Sequence, residues 1–202
     1  MLSCDLFVFL DDVMFTRNSV INRNLIKTPN GQLWLTVPVR TKGRFGQLIR
    51  DVEIDNSQNW ALKHWKSISM NYQKATRFAE HASFFEATYS SKWCKLIDLN
   101  LSIIDYIVNK FGSGPKTVFA SSLHVTEQGA SRLVEICSRV GADSYLSGTG
   151  ASEYQDDALF ERAGMKVLYQ NYAPKSYSQL YGDFLPNLSA IDYLFNCGKK
   201  LI

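Results

Sequence analysis

Strand-like and helix-like segments alternate through the second half of the chain, and this alternation limits the fold more than any other feature. Thr117 to Ser121 reads as a strand and Gly129 to Val140 as a helix. Ser144 to Leu146 is again strand-like, a stretch near Ser152 to Ala163 helical, and Met165 to Tyr172 strand-like. Strands separated by helices pair in parallel through right-handed crossovers. At the other end, Leu6-Phe7-Val8-Phe9-Leu10 is an unbroken apolar run that stops at Asp11-Asp12. That is the pattern of a strand buried on both faces, with two carboxylates at its carboxyl end. The expected class is α/β, with a largely parallel, Rossmann-like sheet flanked by helices.

Gln32 to Val39 follows the turn signal Pro29-Asn30-Gly31, and Gln47 to Ile54 alternates apolar and polar residues. A hairpin is therefore expected near residues 32–54, and Pro38 confines it to a sheet edge or strand end. From Asn56 the period changes: Trp60, His64 or Trp65, Ile68 and Tyr72 predict a helix of about four turns. A second amphipathic helix is predicted between Lys92 and Phe111, stopped by Gly112-Ser113-Gly114-Pro115, and a terminal helix from Asn187 or Ser189. With 46% apolar residues, 202 residues suffice for one domain with a real core at about 150 residues per domain, and no repeat or linker divides them.

The net charge of +3 does not by itself ask for nucleic acid or an acidic membrane. It is unevenly placed, however. Residues 1–50 carry seven basic side chains against three acidic ones, a surplus larger than that of the whole chain. An anionic small molecule such as a nucleotide-linked substrate suits that end, whereas the absence of interleaved stacking aromatics argues against nucleic acid. Cys4, Cys94, Cys137 and Cys197 stand at least forty residues apart, so neither a CxxC pair nor a Cys/His pair with metal-ligand spacing exists. No metal site is expected. Scattered thiols and the lack of a basic, cleavable leader fit a cytoplasmic protein. No apolar run approaches the about 20 residues that cross a bilayer, so no membrane insertion is expected.

Several residues could carry chemistry. Ligands of open α/β sheets settle at the carboxyl ends of the strands, where Asp11, Asp12 and, after the next strand, Ser121 and Ser122 stand. Each has a second reading, as a turn or helix cap. Arg17, Asn22, Arg23, Asn24 and Lys27 form a polar cluster whose guanidinium groups can grip phosphate or carboxylate, or simply line a solvated loop. Tyr145 to Ser152 runs from a strand through Gly148 and Gly150 into a helix. Amide groups there can hold an anion, although the glycines also suit a turn. His64, on a mixed helix face, is a candidate base or a packed residue. Tyr177 and Gln179 belong to an aromatic and amide-rich tail of the kind that walls sugar or nucleoside pockets. There is no G-x-S-x-G elbow, so a nucleophilic hydrolase is disfavoured.

These residues fall in an order that resembles the WbqC-like proteins. Phe7 to Val13 with Asn22-Arg23-Asn24, then Trp34 to Val39, resemble the family's start. Tyr145 to Ala151 with Tyr154, Tyr177-x-Gln179, and Phe184 to Asn196 with Gly198 continue the likeness over nearly the whole chain. Members usually open with a strand and a Gln-Pro-x-Tyr-x-Pro-x-x-Gly segment. This chain begins after that point, so one WbqC-like domain over 1–202 lacking the family's first strand is expected. Members occur among genes for O-antigen and related surface polysaccharides, where glycine transfer is the suggested role. The resemblance thus implies a transferase that passes glycine to a sugar or amino sugar, with a nucleotide-activated sugar as partner and ATP with magnesium where the acyl group is activated in place. In that scheme Arg17 or Arg23 binds phosphate, Asp11 orients the amine or takes its proton, and residues 147–151 meet the nucleotide. Two alternatives stay open: nucleotidyl transfer to a small phosphorylated substrate, and a non-catalytic member of a polysaccharide-assembly complex.

Overall fold

A computed structural model of the chain describes residues 1–148, Gly150 and residues 156–198. The chain is of the mixed α/β class, with short parallel sheets flanked by helices. It divides into two compact units, Met1–Asp11 with Pro115–Ala173, and Asp12–Gly114 with Pro174–Ile202.

The first unit holds the parallel strands that the alternation predicts. β1 (Leu6–Phe9) pairs with β4 (Lys116–Phe119) from Leu6↔Lys116 to Phe9↔Phe119. β5 (Ser144–Gly148) pairs with β6 (Lys166–Gln170) in the same sense. Helix α4 (Gly129–Arg139) precedes β5, and α5 (Asp157–Arg162) lies between β5 and β6. Asp156 starts α5 by accepting the Ala158 N–H at 3.2 Å. Residues 152–155 of the expected helix lie outside the described residues. Cys137, Phe160 and Met165 are buried together, with Tyr145 stacked on Phe160 at 5.0 Å between ring centroids. All four cysteines are free thiols.

The second unit is built on an antiparallel hairpin and four helices: β2 (Arg23–Thr28), β3 (Gly31–Thr36), α1 (Trp60–Tyr72), α2 (Phe78–Ser90), α3 (Leu96–Phe111) and α6 (Ala190–Cys197). The regular hairpin lies one strand earlier than residues 32–54 imply: Gly31–Thr36 pairs with Arg23–Thr28. The expected partner 47–54 meets only the end of the 32–39 segment, at the antiparallel bridge Val39↔Ile54 with Arg40 N–H on Glu53 O at 2.9 Å and Asp55 N–H on Pro38 O at 2.8 Å, and otherwise makes the bridges Met14↔Leu48 and Glu53↔Lys95. Turn chemistry explains the choice. Pro29-Asn30 forms a two-residue loop, Gly31 takes the positive φ (+100°) that the turn needs, and Thr28 Oγ bonds Gly31 O at 2.9 Å. A 3-10 turn at Ile49–Asp51 then keeps 47–54 from extending as a strand.

Helix α1 buries Trp60, His64, Ile68 and Tyr72, the i, i+4 face read from the sequence. The core of the unit gathers on Phe195 of α6, whose ring lies 5.2–5.3 Å from those of Tyr72, Phe78 and Phe85. Helix α2 has no counterpart in the sequence reading. Phe78, Phe85 and Tyr89 share one face at i, i+7 and i+11, but two of the buried positions beside them are the polar His81 and Thr88, so no apolar stripe declares it. Among the described residues no helix is long and apolar enough to cross a membrane.

Candidate functional site

In the first unit, two residues singled out in the sequence meet at the carboxyl ends of parallel neighbours. Asp11 follows β1 and Ser121 follows β4. Asp11, 5% exposed, accepts the Ser121 backbone N–H on Oδ1 at 3.0 Å and the Ser121 hydroxyl on Oδ2 at 2.7 Å. The second bond has a chemical consequence. With its proton committed to the carboxylate, Ser121 Oγ offers only lone pairs to anything that approaches it. Ser122 is exposed, with its hydroxyl turned back onto Phe119 O at 2.7 Å. At the end of β5, Ser147 is buried and Gly148 exposed. A Cβ on Gly148 would meet nothing within 4 Å, and the residue lacks a left-handed φ, so a strained turn does not account for this glycine. Gly150 is likewise exposed, while Tyr154 lies outside the described residues.

The second unit gathers Tyr177 and Gln179 around two charges in its interior. Lys27, 2% exposed, donates from Nζ to Gln179 Oε1 at 3.0 Å and to Asp183 O. Gln179 also clamps Leu185, accepting its N–H at 2.9 Å and donating to its carbonyl at 3.0 Å. Asp192 is fully buried and accepts the hydroxyls of Tyr72 at 2.7 Å and Tyr177 at 2.9 Å. The Tyr72 oxygen in turn accepts the Lys27 backbone N–H at 2.9 Å. Burial, reinforced by the negative charge of Asp192, pushes the Tyr72 phenol far above its ordinary pKa; Tyr177 moves the same way, chiefly through burial. Lys27, Tyr72 and Asp192 have almost no surface, so their network positions the tail segment against β2 and α6 rather than meeting a ligand.

From the sequence alone Lys27 is one more polar-cluster residue, Tyr72 one position of a helix face and Asp192 a residue of the terminal helix. The available signal was a charge inside an apolar element, Leu25-Ile26-Lys27 in a strand and Ile191-Asp192-Tyr193-Leu194 in a helix.

The remaining candidates of this unit stand apart from that network. The Arg23 guanidinium lies 4.2 Å over the Trp34 ring, and its Nε is buried without a partner. Asn22, 3% exposed, donates to Val37 O at 3.1 Å and leaves Oδ1 unpartnered. Asn24 is exposed and bonds the next amide, Leu25 N–H, at 2.8 Å. Arg17 is exposed and lines a shallow depression with Met14, Phe15 and Phe45. Asp12 is half-buried. His64 is buried, its Nε2 3.1 Å from Thr36 O and its ring edge-on to Trp60 and Tyr89. A carbonyl partner requires Nε2 to carry the proton, and burial lowers the imidazole pKa to about 4, so His64 is neutral at pH 7. Among the described residues no group of three or more His, Cys, Asp or Glu side chains converges as metal ligands would.

A family model described as the WbqC-like protein family matches residues 1–202. The chain belongs to the WbqC-like family. An uncharacterized protein of Mycobacterium tuberculosis, Rv1507c, is 35% identical over 198 residues, which cover 97% of this chain and 85% of that protein. No solved structure matches. In this WbqC-like protein the tail from Tyr177 to Asn196 contains Tyr177, Gln179 and Asp192 and thus supplies three of the five side chains of the network.

Proposed function

We propose that this WbqC-like protein is a transferase of bacterial surface-polysaccharide (O-antigen) assembly that passes an activated glycyl group to an amine or hydroxyl of a nucleotide-activated sugar. The observation that carries this reading is the Asp11–Ser121 pair at the strand ends, a buried carboxylate that turns a hydroxyl into a pure acceptor.

The glycyl group arrives activated, as an acyl adenylate made from ATP with magnesium or on a charged carrier. The acceptor nitrogen attacks the carbonyl carbon; the new C–N bond forms as the C–O bond to the leaving group breaks. The proton lost by the nitrogen passes to Ser121 Oγ while the Ser121 proton passes to Asp11 Oδ2, so the carboxylate takes up one proton. The Gly148 segment, at the end of a parallel strand of the same unit, is assigned to the nucleotide. Family membership supports the substrate class, and the strand-end location supports the site.

Incubation of the protein with glycine, ATP, magnesium and a nucleotide-activated amino sugar should yield a sugar heavier by one glycyl group in mass spectrometry. A second incubation, with a phosphosugar in place of the nucleotide-activated sugar, should give no nucleotidylated product; a nucleotidylated phosphosugar with release of pyrophosphate there, and no glycylated product in the first, would replace this reading with nucleotidyl transfer.

A further inference from the structure

The segment Arg40 to Gln47 is an ordered loop that ends in a bare aromatic ring. Its base is stitched to the neighbouring chain: Phe15 N–H donates to Gln47 O at 2.9 Å and Ile49 N–H to Val13 O at 3.0 Å. Gln47 Nε2 reaches Arg40 O at 3.2 Å, and Arg44 N–H closes a turn on Thr41 O at 3.1 Å. Gly43 and Gly46, each with φ +71°, turn the chain on either side of the tip. There Phe45 is 103% exposed, as open as in an extended peptide. Met14, 61% exposed, borders the shallow depression of about 590 Å³ beside it.

The charge around this ring is mainly positive. Arg40, Lys42 and Arg44 occupy the loop and Arg17 the depression. Glu53 takes Arg40 at 3.4 Å and Arg44 at 3.0 Å, and Lys42 has no ion-pair partner among the described residues. The Asp55 carboxylate also acts on Arg40, and two carboxylates against four cations leave the patch positive. A protein partner receives an aromatic anchor in a preformed pocket, whereas a convex ring on an ordered loop ringed by cations suits a soft apolar phase beneath an anionic layer.

We propose that the 40–47 loop docks this protein on an anionic membrane surface, Phe45 entering the headgroup boundary and Lys42 and Arg44 facing lipid phosphates. The protein then lies on the bilayer without spanning it. This inference is independent of the transfer reaction, and its test reads no activity.

The test is co-sedimentation of the full chain with vesicles of equal parts phosphatidylglycerol and phosphatidylcholine, against vesicles of phosphatidylcholine alone. Binding is expected to the first and not the second, and to weaken as salt rises. Phe45→Ser is expected to weaken partitioning about tenfold or more, and Lys42→Glu about tenfold. Phe45→Leu should retain most of it. Both positions are exposed, so unchanged melting temperatures will show that the variants fold. Equal binding to the two vesicle types, or full binding by Phe45→Ser, overturns the proposal. Absence of vesicle binding, with ATP raising the melting temperature of the wild type but not of Phe45→Ser, also overturns it and assigns the depression to a small anion.

Discussion

Removing one oxygen from Tyr72 tests the buried network with little other disturbance. Tyr72 is fully buried, and its hydroxyl donates to Asp192 Oδ2 at 2.7 Å while accepting the Lys27 N–H at 2.9 Å. In Tyr72→Phe the ring keeps its place against Phe195, and no side-chain cavity larger than the hydroxyl opens. Two buried polar groups lose a partner instead. An orphaned buried group costs about 1–3 kcal/mol, the charged acceptor more than the neutral amide, so the loss should be about 3–5 kcal/mol. Tyr181→Phe is the control, because that hydroxyl makes a single bond to Asn71 O at 2.9 Å and should cost only about 1 kcal/mol. The assay is urea unfolding followed by tryptophan fluorescence, which reports the second unit alone since Trp34, Trp60, Trp65 and Trp93 all lie in it. A Tyr72→Phe loss no larger than that of Tyr181→Phe, at equal urea dependence, would refute the claim that this network anchors the tail.

The other expectations concern pH and the turn. His64 has its imidazole pKa lowered from 6.5 to about 4 by burial, so the unfolded chain binds the extra proton first as pH falls. Its contribution, about 3 kcal/mol, is complete above pH 6.5 and lost as pH drops toward 4; His64→Gln should flatten the acid limb of a stability–pH curve. Tyr72, Tyr89 and Tyr177 have raised pKa values, so the unfolded chain gives up these protons first above about pH 10 and stability should fall steeply there. Shallow alkaline unfolding, followed by far-UV dichroism, would contradict that burial. Gly31→Ala places a Cβ at φ +100° with no neighbour within 4 Å, so strain alone should lower the urea midpoint by the equivalent of about 1–2 kcal/mol.

Elements with one strong period were legible in the sequence. The apolar run before Asp11 is β1, the Trp60–His64–Ile68–Tyr72 stripe is the buried face of α1, and Gly112 closes α3. Elements whose identity depends on tertiary partners were not. Arg23–Thr28 reads as a polar loop because its charged residues hide the strand, and Lys27 becomes an interior residue only when Gln179 and the Asp183 carbonyl, some 150 positions away, come to meet it. Asp192 is an anomaly in an apolar helix until the hydroxyls of Tyr72 and Tyr177 are brought to it. At the candidate site, strand topology puts Asp11 and Ser121 at strand ends, whereas the two bonds that one serine makes to the carboxylate depend on the 3-10 turn after β4 and leave no mark in the sequence. Loop residues such as Arg17 and Asn24 have no period, so composition alone pointed to them.

The measurement that bears most directly on the account is glycyl transfer to a nucleotide-activated amino sugar by the wild type, Asp11→Asn and Ser121→Ala, each checked for an unchanged melting temperature. If the strand-end pair accepts the proton, Asp11→Asn should lower kcat about 10²–10⁴-fold and Ser121→Ala by a comparable factor, with KM for the sugar little changed. Wild-type turnover that survives both substitutions would place the chemistry elsewhere and contradict the assignment of Asp11 and Ser121.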